Sequence, residues 1–170
     1  MKIIEAMKRV KINKEKIIDL QTRIGQVSAH LTHETPVYGT ETANKIVEWA
    51  QACDDLTRDN VQLLVAIART NIATRATITL GGKEVTKTLA EWIWRRREYA
   101  ALDMKTWSAM TDRNLREGQI QSTTGIPIDV RIVRNYDPVR RDQKLAEYKG
   151  EPHEIDSTLE VINAVTDLVE

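Results

Sequence analysis

Cysteine is nearly absent from this 170-residue chain: Cys53 stands alone, so no internal disulfide can form and the fold must rest on a packed core. Net charge is absent too. The 25 Lys and Arg residues are matched by 25 Asp and Glu, leaving no global field to draw the protein onto nucleic acid or an anionic membrane. No apolar run approaches the ~18 to 20 residues of a membrane-spanning helix. In the opening Met1-Lys2-Ile3-Ile4-Glu5-Ala6, an acid stands where a secretory signal would carry its apolar core. These absences point to a reducing, cytoplasmic compartment and no membrane partner. Reaction signatures are missing as well. There is no G-x-S-x-G, H-E-x-x-H, C-x-x-C or calcium loop, and Gly81-Gly82-Lys83 lacks the first glycine of a phosphate loop. The expectation is therefore no enzyme and no cofactor.

With 41% hydrophobic and 29% charged residues, the length suits one domain over residues 1–170. Its clearest pattern is a heptad. Ile3, Val10, Ile17, Ile24 and Leu31 recur at sevens, each of the first four followed three residues later by Ala6, Asn13, Leu20 or Val27, as in the a and d positions of a helical seam. Thr32 to Thr40, with Pro36 and Gly39, reads as a connector. A second helix should start near Thr40 or Thr42, with a threonine as its cap. It carries Ile46, Cys53, Asn60 and Ile67 in one row and Trp49, Leu56, Leu63 and Thr70 in the other, and ends near Ala73. Two such stripes joined by a short connector predict an antiparallel helical hairpin over 1–73. Alternating Ala76–Leu80, the Gly81-Gly82 turn and the return to Thr86 predict a β-hairpin over 76–86. A helix over 87–117, capped by Thr86 or Thr88, should follow. Gln119–Gly125 reads as a polar loop. Residues 126–134 read as a strand with one buried face that extends the hairpin into a small sheet. Asp137-Pro138 opens a helix ended by Gly150, and Pro152 starts a last one, within 138–169. The fold class is mainly α with a small β element.

Three segments, Ile67-Ala68-Arg69-Thr70-Asn71-Ile72-Ala73-Thr74, the Gly81-Gly82 turn with Thr86 to Arg97, and Lys144-Leu145-Ala146-Glu147-Tyr148-Lys149 with Glu154-Ile155-Asp156-Ser157, resemble in their order the septicolysin-like family. That family of mostly uncharacterised bacterial and phage proteins shows I-x-R-T-N-x-x-T closing a long helix, then a Gly-rich turn, and L-A-K-E-Y near the C-terminus. The likeness runs from about residue 60 onward. It implies a mainly helical protein with a small β element that self-associates, with no established chemistry.

Among polar residues, Arg69-Thr70-Asn71 is the most unusual group, since it ends an apolar stripe. It either satisfies backbone groups, with Arg69 paired to an acid such as Asp156, or forms a small anion or ligand site from Arg69, Thr70, Asn71 and Asp156. Asn60, on an a position, suits a register device. His30, His33, Glu34 and His153 make a weak metal set, and Cys53 reads as a small core residue, so no metal is expected. Arg95-Arg96-Arg97 beside Trp92, Trp94 and Tyr99, with Arg131, Arg134, Arg140 and Arg141, raises nucleic-acid binding. Successive helical residues point ~100° apart, however, so the three arginines form no single patch, and Arg96 should face inward. The expected partner is a second copy, with Ile3, Val10, Ile17, Ile24 and Leu31 as interface residues, because two such stripes exceed what a lone small domain can cover. Such a protein would be a homo-oligomeric assembly component, cytoplasmic, or part of a virion beside other virion proteins if phage-encoded. The alternative is a small-ligand or anion-binding protein.

Overall fold

The computed structural model describes Met1–Val169, and its chain forms two compact units: Met1–Arg75 with the stretch from Leu159 onward, and Ala76–Thr158. The fold is mainly α with a small β element.

In the first unit, α1 spans Ile3–Val27, about 37 Å at the usual helical rise. The Glu5 carboxylate accepts from the Lys2 amide at 2.8 Å and closes its first turn. The helix stops before Leu31. Gly25 weakens its last turn, and the Ser28 hydroxyl donates to the Gly25 carbonyl, so His30, Leu31 and His33 lie in the connector. A 3-10 turn at Gly39–Glu41 leads into α2, Thr42–Ala73. Here the expected threonine cap is replaced. The Thr42 hydroxyl donates back to the Gly39 carbonyl, and Glu41 occupies the cap position without capping through its side chain. Tyr38 packs edge-on against Trp49, with ring centroids 5.6 Å apart, and fastens the connector to α2.

Helices α1 and α2 form the antiparallel hairpin that their heptads predict. Ala6, Val10 and Leu63 make its buried cluster, with Ile67 and Leu168 packed against it. Beyond this lies a buried polar layer. The Asn13 side-chain amide donates to Asn60 Oδ1 at 3.0 Å and to Asp59 Oδ2 at 2.7 Å, and Arg9 grips Asp59 through two 2.9 Å bonds. This pairing sets the register of the two helices, the role expected of Asn60. The chain after Val165 returns beside the start of α1. Ile3 N donates to Thr166 O, Leu168 N to Met1 O, and Lys2 Nζ meets Asp167 at 2.6 Å.

In the second unit, β1 (Arg75–Leu80) and β2 (Lys83–Thr88) form a hairpin around Gly81 and Gly82, whose φ values of +54° and +77° suit a tight turn that only glycine enters cheaply. Thr77 and Thr86 bond across it at 2.7 Å. Thr88 then caps α3, Leu89–Trp94, in a reciprocal box with Glu91. The predicted single helix to residue 117 is instead α3, a π-turn at Arg95–Tyr99 and α4 at Ala100–Ser108. Beyond Ser108 the backbone turns through Arg113 and Asn114, both at positive φ, which no helix continues.

The segment 126–134 also departs from expectation. Its strand is only β4, Pro127–Val130, and it pairs with β3, Gly118–Gln121, within what reads in sequence as a polar loop. The two strands form their own ribbon rather than joining β1 and β2. Ile120 and Ile128 stay exposed, so the alternation reflects a ribbon with no covered face. The two C-terminal helices are one, α5, Pro138–Val165, capped by Asp137 Oδ1, which accepts from the amides of Val139 and Arg140. Pro152 lies inside it. Burial of Glu151, Ile155 and Leu159 holds the helix through Gly150 and Pro152, overriding their poor propensity.

Candidate self-association surface

The hairpin seam has two unequal halves. Near the start of α1 and the end of α2, the returning chain supplies a third covering element, Leu168 included, and Ile3, Ala6, Val10, Leu63 and Thr70 are buried. Towards the connector no third element of this unit lies on the seam among the described residues. There Ile17, Leu20, Ile24 and Val27 of α1, and Ile46, Trp49, Cys53 and Leu56 of α2, occupy the same a and d rows yet are only half-buried. Two helices shield a seam from one side each, so a seam without a third layer keeps part of its apolar area in water. Asn13 and Asn60, 5% and 6% exposed, mark the boundary between the halves.

One flank of the hairpin adds to this. On the side bearing Arg9 and Asp59, charges pair across the seam. On the opposite flank, Met7, Ile18, Val47, Val61 and Leu64 are exposed by 48% to 68%. Isolated exposed apolar residues are ordinary, but these recur along both helices, Ile18 and Val47 beside the half-open seam and Met7, Val61 and Leu64 beside the closed one. The heptad reading assigns them to outward positions, and the signal that finds them is the i, i+3 pairing of Val61 with Leu64 and the sevenfold repeats of Val47 with Val61.

The expected interface row is therefore redistributed. Ile3 and Val10 are buried within their own chain and can meet no partner; the stretch after Val165, unread in the sequence as a covering element, takes that place. Leu31 is 60% exposed but lies beyond the end of α1. Ile17 and Ile24 remain at the half-open seam.

The Arg69, Thr70, Asn71 and Asp156 set is divided among separate tasks. Thr70, fully buried, donates from its hydroxyl to Ala66 O at 2.8 Å and accepts from Val169 N at 2.9 Å, which anchors the returning chain. Asn71 is half-buried, and its Oδ1 has no hydrogen-bond partner among the described residues. Arg69 is exposed. Asp156 is engaged by Arg96, so the expected Arg69–Asp156 pair is replaced by Arg96–Asp156.

The π-turn explains why. One extra residue in the turn rotates the arginine run, so that Arg95, not Arg96, points inward. Arg95 makes two bonds to Glu151, at 2.5 and 2.8 Å, and one to Asp103 at 2.5 Å. Glu151 is the only charged side chain buried among the described residues, and its hydrogen bonds hold the Arg95 guanidinium more firmly protonated than usual. Arg134 likewise grips Asp112 through two bonds, with Tyr136 OH donating to the same carboxylate, and these bonds hold the Asp112 carboxyl below its ordinary pKa. Arg141 bonds Tyr136 and Met110 O, and Arg140 stacks on Trp107. Most of the arginines singled out for nucleic acid thus already hold partners within the fold. Among the described residues no group of three His, Cys, Asp or Glu side chains gathers closely enough to hold a metal, and no helix is long and apolar enough to cross a membrane.

No protein-family model, curated protein or solved structure matches this chain.

Proposed function

We propose that this protein is a non-enzymatic assembly component that works by associating with copies of itself through the α1–α2 hairpin. The observation that carries the reading is the uncovered half of the seam, Ile17 to Val27 against Ile46 to Leu56, flanked by exposed Ile18 and Val47, with exposed Met7, Val61 and Leu64 continuing the same flank along the closed half. Burying such a surface returns roughly 25 cal/mol per Å² of apolar area, the usual drive for helix-on-helix association. A hairpin face about 37 Å long and about 20 Å wide offers about 700 Å² per copy, close to the ~800 Å² per partner of a stable interface. The septicolysin-like resemblance, which implies self-association, agrees with this reading.

Ile18→Glu tests it. Ile18 is 62% exposed within one chain, so the variant should keep its helicity and melting temperature as a monomer. Its sedimentation should shift to the monomeric species at concentrations where the parent chain is associated. An unchanged association state would remove this face from the interface.

A further inference from the structure

We infer that the second copy packs about a two-fold axis parallel to the hairpin, setting α1 of each copy against α2 of the other in an up-down-up-down four-helix bundle. This rests on the self-association proposed above and adds its geometry. Arg9 with Asp59 and Asn13 with Asn60 fix which residues of the antiparallel helices share a level. At equal rise per residue, that register carries along both helices. It sets Met7 level with Leu64, and places Ile18 within one turn of Ala50 and Lys14 within one turn of Asp54, all on the flank away from the Arg9–Asp59 pair. An axis parallel to the hairpin keeps these levels when α1 meets the other copy's α2. Met7 then meets Leu64, and Ile18 lies beside Ala50. The one acid of that α2 flank, Asp54, falls beside Lys14. Neither Lys14 nor Asp54 has an ion-pair partner among the described residues. An axis perpendicular to the hairpin would instead turn each helix end for end and lose this match. An interface that opposes one patch to its own copy is closed and self-complementary, so the product is a dimer rather than a filament.

Two reversed charges decide the matter. In full-length Lys14→Glu, both symmetric contacts set the new carboxylate against Asp54, and in Asp54→Lys both set the new ammonium against Lys14. Each variant alone should dimerise about tenfold more weakly than the parent. Mixed in equal amounts, they form a heterodimer in which one contact pairs the two exchanged charges and the other the two original ones. Both are again of opposite sign, and dimerisation should return to near the parental strength. Circular dichroism on each variant checks that the helices are intact; a variant with lost helicity is replaced by Lys14→Gln or Asp54→Asn, for which a smaller weakening and a partial recovery on mixing are expected, since the heterodimer keeps one Lys14–Asp54 contact. If both reversed variants dimerise as the parent does, or if mixing restores nothing, the proposed axis is wrong while self-association stands. A parent chain that is monomeric throughout overturns both.

Discussion

At the scale of single residues, the structure is held by a few buried polar groups whose partners are far away in sequence. Thr70 shows the principle: its hydroxyl serves the carbonyl of its own helix and the amide of Val169 at once. Thr70→Val keeps the shape and removes both bonds, which should cost about 1 to 2 kcal/mol in urea unfolding and speed amide exchange in the stretch after Val165. Asn60→Ala strips one acceptor from the buried Asn13 amide, which retains Asp59, and should cost about 1 to 3 kcal/mol by the same measurement. Asp112 adds a pH dependence. The Arg134 guanidinium holds its carboxyl below the ordinary value of 3.8, so its contribution is complete above that value and is lost as pH falls through the lowered one. Amide exchange around residues 109–136 should therefore accelerate in acid in the parent chain, and Asp112→Asn should show the fast exchange already near neutral pH.

At the scale of elements, periodic segments were legible and their ends were not. The α1–α2 hairpin, the Gly81-Gly82 turn and the Thr88 and Asp137 caps follow from local rules, because heptads, glycine conformations and capping oxygens act within a few residues. The π-turn at Arg95–Tyr99 had no local signal, since it serves the half-buried Arg95–Glu151 pair, whose members lie far apart in the chain. The same pair explains why α5 runs through Gly150 and Pro152, where local propensity predicts a break. Proline there supplies no amide to the carbonyl one turn back. Pro152→Ala should supply the missing amide within the helix and raise the melting temperature, whereas Glu151→Ala, which leaves Arg95 with Asp103 and the Tyr148 ring, should cost about 1 to 3 kcal/mol in urea unfolding. The ribbon β3–β4 gives little local signal because Gln119 and Gln121 alternate with Gly118 and Ile120 too weakly to mark a strand. Of the candidate surface, Ile17 and Ile24 were legible from the heptad. The exposed flank was not, because which residues of a stripe remain uncovered depends on where the distant C-terminal stretch returns.

At the scale of the whole molecule, the heptad raises the expectation of a partner, and the unequal seam is where we propose that it binds. One half is closed by the chain's own return, and the other is left with half-buried Ile, Leu, Trp and Val side chains and an apolar flank. A covering copy would bury those groups and match Lys14 to Asp54. Analytical ultracentrifugation of the full chain, run from nanomolar to tens of micromolar in physiological salt, measures this most directly. A reversible monomer–dimer equilibrium, with dimer dominant at micromolar concentration, is the predicted result; a single monomeric species across the whole range would contradict it.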